Sequence, residues 1–135
     1  MNNSMLVVDD EEAIQELIQI YLSEMDVKIY PALTGEEGLE KYAELMNEGN
    51  APDMVIMNLK LPGMDGVETT RKIMKMNPSA LIYGFTASFD TDWADELKKA
   101  GAKDVIPKIV GFGALREIVK EILEGEDSIS SVSWK

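Results

Sequence analysis

The 135 residues carry 13 basic against 25 acidic side chains, a net charge of −12, and are 45% hydrophobic, which fits one domain with a full core and argues against nucleic-acid binding by this surface. With no cysteine and no histidine, disulfides, thiolate metal sites and imidazole chemistry are excluded, and oxygen ligands for a hard cation such as Mg²⁺ remain. No run approaches the roughly 20 apolar residues of a membrane span and the N-terminus lacks a secretory profile, so a cytoplasmic protein is expected.

Short apolar runs alternate with amphipathic segments. Met5, Leu6, Val7 and Val8 predict a first strand ending in Asp9 and Asp10. Over residues 11–25, apolar side chains recur at Ala13, Ile14, Leu17, Ile18, Tyr21 and Leu22, the three-and-four spacing of a helix. Residues 27–30 predict the second strand, ahead of Pro31, and residues 35–46 a second helix with Leu39, Tyr42, Ala43 and Met46 on its stripe, stopped by Gly49 and Asn50. Met54, Val55, Ile56 and Met57 form the third strand, Pro62 and Gly63 mark a loop, and a third helix bearing Val67, Ile73 and Met74 ends before Pro78. Residues 80–85 predict the fourth strand and residues 91–100 the fourth helix, with Gly101 as its stop. Val105 and Ile106 make a short fifth strand, and residues 112–123 a last helix carrying Leu115, Ile118, Val119, Ile122 and Leu123. Residues 1–124 are thus the domain, and residues 125–135, polar and without period, read as a disordered tail or linker stub.

Strands apolar on both faces, joined by amphipathic helices, predict an α/β fold: a doubly wound five-stranded parallel sheet with five helices, flavodoxin-like in plan. In such sheets the site lies beyond the carboxyl ends of the strands. Asp9 and Asp10, Asn58, Thr86 and Lys108 all stand at strand ends. Each has a second reading. Asp9 and Asp10 either chelate a cation or lead into a helix whose first turn favours acids. Thr86 either meets a phosphate or caps a turn, and Lys108 taken alone is an ordinary surface lysine. Asp65 and Gly66 are read as a turn and helix cap, the nine methionines as core filler and Trp93 as packing rather than a partner surface.

Leu6-Val7-Val8-Asp9-Asp10, Asn58-Leu59-Lys60-Leu61-Pro62-Gly63-Met64-Asp65-Gly66, Phe85-Thr86-Ala87 and Pro107-Lys108 together resemble the receiver domain of two-component response regulators over nearly the whole chain. The resemblance implies a module that takes a phosphoryl group from a histidine kinase and acts on a downstream effector. It implies Asp9, Asp10, the residue at 58 and the Lys60 carbonyl as Mg²⁺ ligands, and Thr86 and Lys108 as phosphate-binding groups. The phosphoacceptor position, however, holds Asn58, whose carboxamide is a poor nucleophile and a neutral ligand, so Mg²⁺ binding should be weakened. Lys108 also loses a partner there, which leaves Asp9 and Asp10 to balance it. Val105 stands at the switch position where the family usually has an aromatic, and Ile109 where it usually has a proline.

Three readings follow: a receiver disabled by an acid-to-amide substitution, a pseudo-receiver that binds partners without phosphorylation, or an enzyme on the same scaffold. The last is poor, because a flavodoxin-type phosphate loop needs Ser, Thr and Gly where Asp9-Asp10-Glu11-Glu12 stands. The chain is expected to be non-enzymatic, without nucleic-acid or membrane partners, and a monomer or weak dimer.

Overall fold

Each apolar run needs cover on both sides, and the chain provides it by laying five strands in one parallel sheet between two helical layers. The computed structural model describes residues 3–87 and 91–124, so the tail expected at 125–135 lies outside the described residues. In chain order the elements are β1 (Asn3–Val8), α1 (Glu12–Tyr21), β2 (Val27–Ala32), α2 (Gly35–Asn47), β3 (Met54–Met57), α3 (Gly66–Met76), β4 (Ile82–Thr86), α4 (Thr91–Ala100), β5 (Asp104–Pro107) and α5 (Phe112–Leu123), with a 3₁₀ turn at Lys108–Val110. The strand order is β2-β1-β3-β4-β5, all neighbours parallel. The order therefore reverses between β1 and β3, and the crevice of a doubly wound sheet opens at that switch point.

The period-2 geometry of a strand divides the core in two. Leu6, Val8, Val55 and Met57 face one layer with Tyr42, Ile73 and Leu97 of α2, α3 and α4. Met5, Val7, Met54 and Ile56 face the other with Ile18 and Leu22 beside α1 and with Leu115, Ile118 and Val119 of α5. Burying each such side chain is worth about 1.5–3 kcal/mol, so register is strongly specified: a one-residue slip would exchange the two faces.

Several boundaries differ from the expectation; β1, for one, begins at Asn3 rather than at Met5. The first helix stops at Tyr21 rather than running to residue 25: Ser23 Oγ donates to the Ile20 carbonyl at 2.8 Å and Met25 N to Leu22 O at 3.0 Å, which turns the chain into β2. Leu22 and Met25 still pack inward, so the apolar period outlasts the helix. The second strand continues through Pro31 to Ala32, because β2 is an outer strand and a missing donor is tolerated there. The fourth strand starts at Ile82, since Ala80 N is taken by Asn77 O at 3.0 Å in a turn. Trp93, expected as packing, is 40% exposed.

Candidate functional site

The ladder carries the site residues into position. Asp9 N donates to Ala32 O at 3.0 Å and Asn58 N to Val8 O at 2.9 Å, which extends the sheet one residue beyond β1 and β3 and sets Asp9 and Asn58 side by side. Thr86 is the last residue of β4, and Lys108 opens the 3₁₀ turn after β5. Asp10, Glu11, Asn58, Lys60, Thr86, Ala87 and Lys108 line one cleft of about 360 Å³.

The loop after β3 is fixed from three directions. Gly66 N donates to Leu59 O at 2.9 Å, and a Cβ at Gly66 would collide with the Asn58 carbonyl, so only glycine lets α3 approach this closely. Asp65 caps α3 by accepting from Glu68 N at 2.9 Å, as its residue type led us to expect. Glu36 of α2 accepts from Met64 N at 3.3 Å.

Asp9 is 1% exposed and fully engaged. Its Oδ1 accepts from Glu11 N at 3.0 Å, and its Oδ2 pairs with Lys108 Nζ at 2.9 Å. Lys108 also lies 3.9 Å from Glu11 Oε1 and 5.8 Å above the Phe85 ring, so it is held at the cleft rather than extended into solvent. The second acid balancing it is Glu11, not Asp10: Asp10 stands at the cleft mouth and its Oδ1 faces Asn58 instead. One residue, Asp9, thus both accepts the Glu11 amide at the head of α1 and pairs with Lys108.

Asn58 is 6% exposed, and its amide is satisfied at both ends. Oδ1 accepts from Leu59 N at 2.9 Å, while Nδ2 donates to the Lys60 carbonyl at 3.2 Å and lies 3.4 Å from Asp10 Oδ1. Among the described residues no three acidic side chains converge to hold a metal ion. The oxygen donors that do converge, Asp10 and the Lys60 carbonyl, are of the type a hard cation takes, but Asn58 turns a nitrogen toward them.

Two other residues complete the neighbourhood. Val105 packs with the α2–α4 layer and, with Leu97, closes over Gly84, where a side chain would meet Leu97 at 2.5 Å. Gln15, which the apolar stripe of α1 passes over, is buried beneath the strand ends. Its Nε2 lies 2.9, 3.2 and 3.0 Å from the carbonyls of Val7, Asp9 and Ala32. The inward stripe of the helix is 15, 18, 22, and a polar residue at its head, pointing at strand ends, was the available signal.

This fold and this cleft define a receiver module, and the chain belongs to the response regulator receiver domain family, which it matches over residues 5–120. It is 31% identical to the response regulator GacA of Pseudomonas viridiflava over 93% of this chain but only 57% of that protein. The chain therefore spans little more than half the length of that relative. Among solved structures it resembles a CheY-like receiver domain protein from Methanospirillum hungatei, with a TM-score of 0.81, 28% identity and coverage of 93% of this chain and 96% of that one. It also resembles a chain of the CheX-CheY-BeF3-Mg complex from Borrelia burgdorferi, with a TM-score of 0.76, 27% identity and coverage of 90% and 89%.

Proposed function

We propose that the chain is a two-component signalling receiver, not an enzyme, whose pocket is built to accept a phosphoryl group from a histidine kinase and is prevented from doing so by Asn58. The observation that carries this reading is the convergence of Asn58, Thr86 and Lys108 on one cleft with Asp10. In a phosphorylatable form of such a cleft, Lys108 and the Thr86 hydroxyl offset charge on the phosphoryl oxygens. Mg²⁺, supported here by the oxygen donors and by the magnesium-bearing relative, would be held by Asp9, Asp10, the Lys60 carbonyl and the residue at 58, and would add positive charge to the same oxygens. Asp9 also holds Lys108 in place. With a neutral amide at 58 the cation is held weakly.

The proposed setting is cytoplasmic, with a histidine kinase and an effector protein as partners and with no nucleic-acid or membrane role for this domain. No helix among the described residues is long and apolar enough to cross a membrane. Mixed charges on the α4–α5 side, such as Lys99 with Glu96 at 4.0 Å and Arg116 with Glu117 at 3.6 Å, are exposed pairs of little affinity each, which fits a monomer or weak dimer.

A second reading, a phosphorylation-independent binding module, is favoured by Asn58 having its amide bonds satisfied without any ligand and by the small, packed Val105 at the switch position. Asn58→Asp separates the two. In the first reading the new carboxylate attacks the phosphorus of acetyl phosphate, the bond to the acetate oxygen breaks, acetate leaves, and an acyl phosphate remains on residue 58. Intact-mass spectrometry should show a single phosphoryl adduct on the variant with Mg²⁺ present and none on the unchanged chain. A variant that stays unmodified would establish the binding-module reading.

A further inference from the structure

Asp10 Oδ1 and the Lys60 carbonyl oxygen are both acceptors with no proton to give. Two such oxygens brought together demand something positive between them. In this chain that role falls to the Nδ2 of Asn58, at 3.4 and 3.2 Å. The opposite orientation of the carboxamide would press Oδ1 against both acceptors and leave Leu59 N, now 2.9 Å from Oδ1, without a partner. Three neighbours therefore agree on which end of the amide faces the cleft.

We infer that the Asn58 carboxamide is an internal substitute for the divalent cation, and that Mg²⁺ and the amide compete for the same two oxygens. The inference rests on reading Asp10, Asn58 and Lys60 as a cation pocket, and it reverses what counting ligands predicts. By ligand count, Asn58→Ala removes an oxygen and weakens Mg²⁺ binding. By competition, a cation entering the unchanged chain must evict Nδ2 or turn the amide, which orphans the Leu59 N–H in a residue that is 2% exposed. A buried donor left unpaired is costly enough to weaken a competing ligand by about tenfold, and alanine imposes no such cost on the entering ion.

Calorimetric titration with MgCl₂ of the unchanged chain, Asn58→Ala and Asn58→Asp decides it. Competition predicts that the alanine variant binds Mg²⁺ about tenfold more tightly than the unchanged chain, with Asn58→Asp tightest of all. If the aspartate variant binds and the alanine variant binds no better than the unchanged chain, the inference is overturned and the cation pocket stands. If the aspartate variant also fails to bind, the pocket reading itself falls and takes the inference with it. Should Asn58→Ala not fold, ¹⁵N NMR of the unchanged chain is the second readout. The Asn58 side-chain protons should exchange with water several-fold more slowly than those of exposed Asn47, and equal rates would refute the bonded amide.

Discussion

Asp9 and Asp10 are consecutive residues at the end of one strand, yet they live in different chemical settings. Asp9 lies under Lys108, with both carboxylate oxygens engaged by an ammonium and a backbone amide. Asp10 stands at the mouth of the cleft and meets a neutral amide at 3.4 Å. Asp9 still belongs to the ladder through its bond to the Ala32 carbonyl and is buried, whereas Asp10 begins the bend into α1 and is exposed. The ionic half of the cleft is completed by the chain's own residues. The amide half is held by weaker bonds around an oxygen pair, and it is the half that a change at position 58 can rebuild.

Breaking the ionic half should have the largest effect. Lys108→Met leaves Asp9 buried without a counter-charge and should destabilise the domain by about 3 kcal/mol, as removal of one partner of a buried pair does. Urea unfolding would show the lower midpoint, and Asp9→Asn combined with Lys108→Met should recover part of the loss. An unshifted midpoint in Lys108→Met would mean that the pair is no more than a surface contact.

A smaller effect is expected beneath both halves. Gln15→Leu removes the donor shared by the carbonyls of Val7, Asp9 and Ala32 and should cost about 2 kcal/mol through unpaired buried acceptors. Hydrogen exchange should rise at the ends of β1 and β2 while α4 stays protected, which would locate the damage at the strand ends.

The smallest effect lies away from the cleft and appears only in alkali. Burial, and then the charge of Asp104, raise the Tyr83 pKa above its ordinary 10.0; burial likewise raises Tyr42, although the bond donated by Asn77 offsets part of it. A phenol whose folded pKa is raised contributes stability that is complete below the unfolded value and is lost as pH rises through the folded value. Stability should therefore fall above about pH 10, and Tyr83→Phe should flatten that fall in a pH series of thermal melts. An unchanged alkaline slope would shift the sensitivity to other groups.

The sheet was legible because burial on both faces leaves an unmistakable residue pattern: β3 and α5 have the bounds that their apolar runs predict, and α4 ends where Gly101 stops it. The end of α1 was not, since Leu22 and Met25 continue the inward period after the backbone has turned at Ser23. The site residues could be placed at strand ends from order alone. Which acid pairs with Lys108 could not, because Glu11 reaches it from the helix start only once the chain is folded. Nor does residue type disclose which end of the Asn58 amide faces inward; that depends on Leu59 N and the Lys60 carbonyl being in place.

Pro31 has one further consequence. An open sheet invites strand addition from a second molecule along its unpaired flank, the geometry from which β-aggregates grow. Here the flanking strands are β2 and β5, and each contains a proline, Pro31 within the first and Pro107 at the end of the second. An imide nitrogen has no hydrogen to offer an incoming chain, so each flank is interrupted as a template. Contacts with another molecule are thereby left to side chains, which can be specific, rather than to backbone, which cannot.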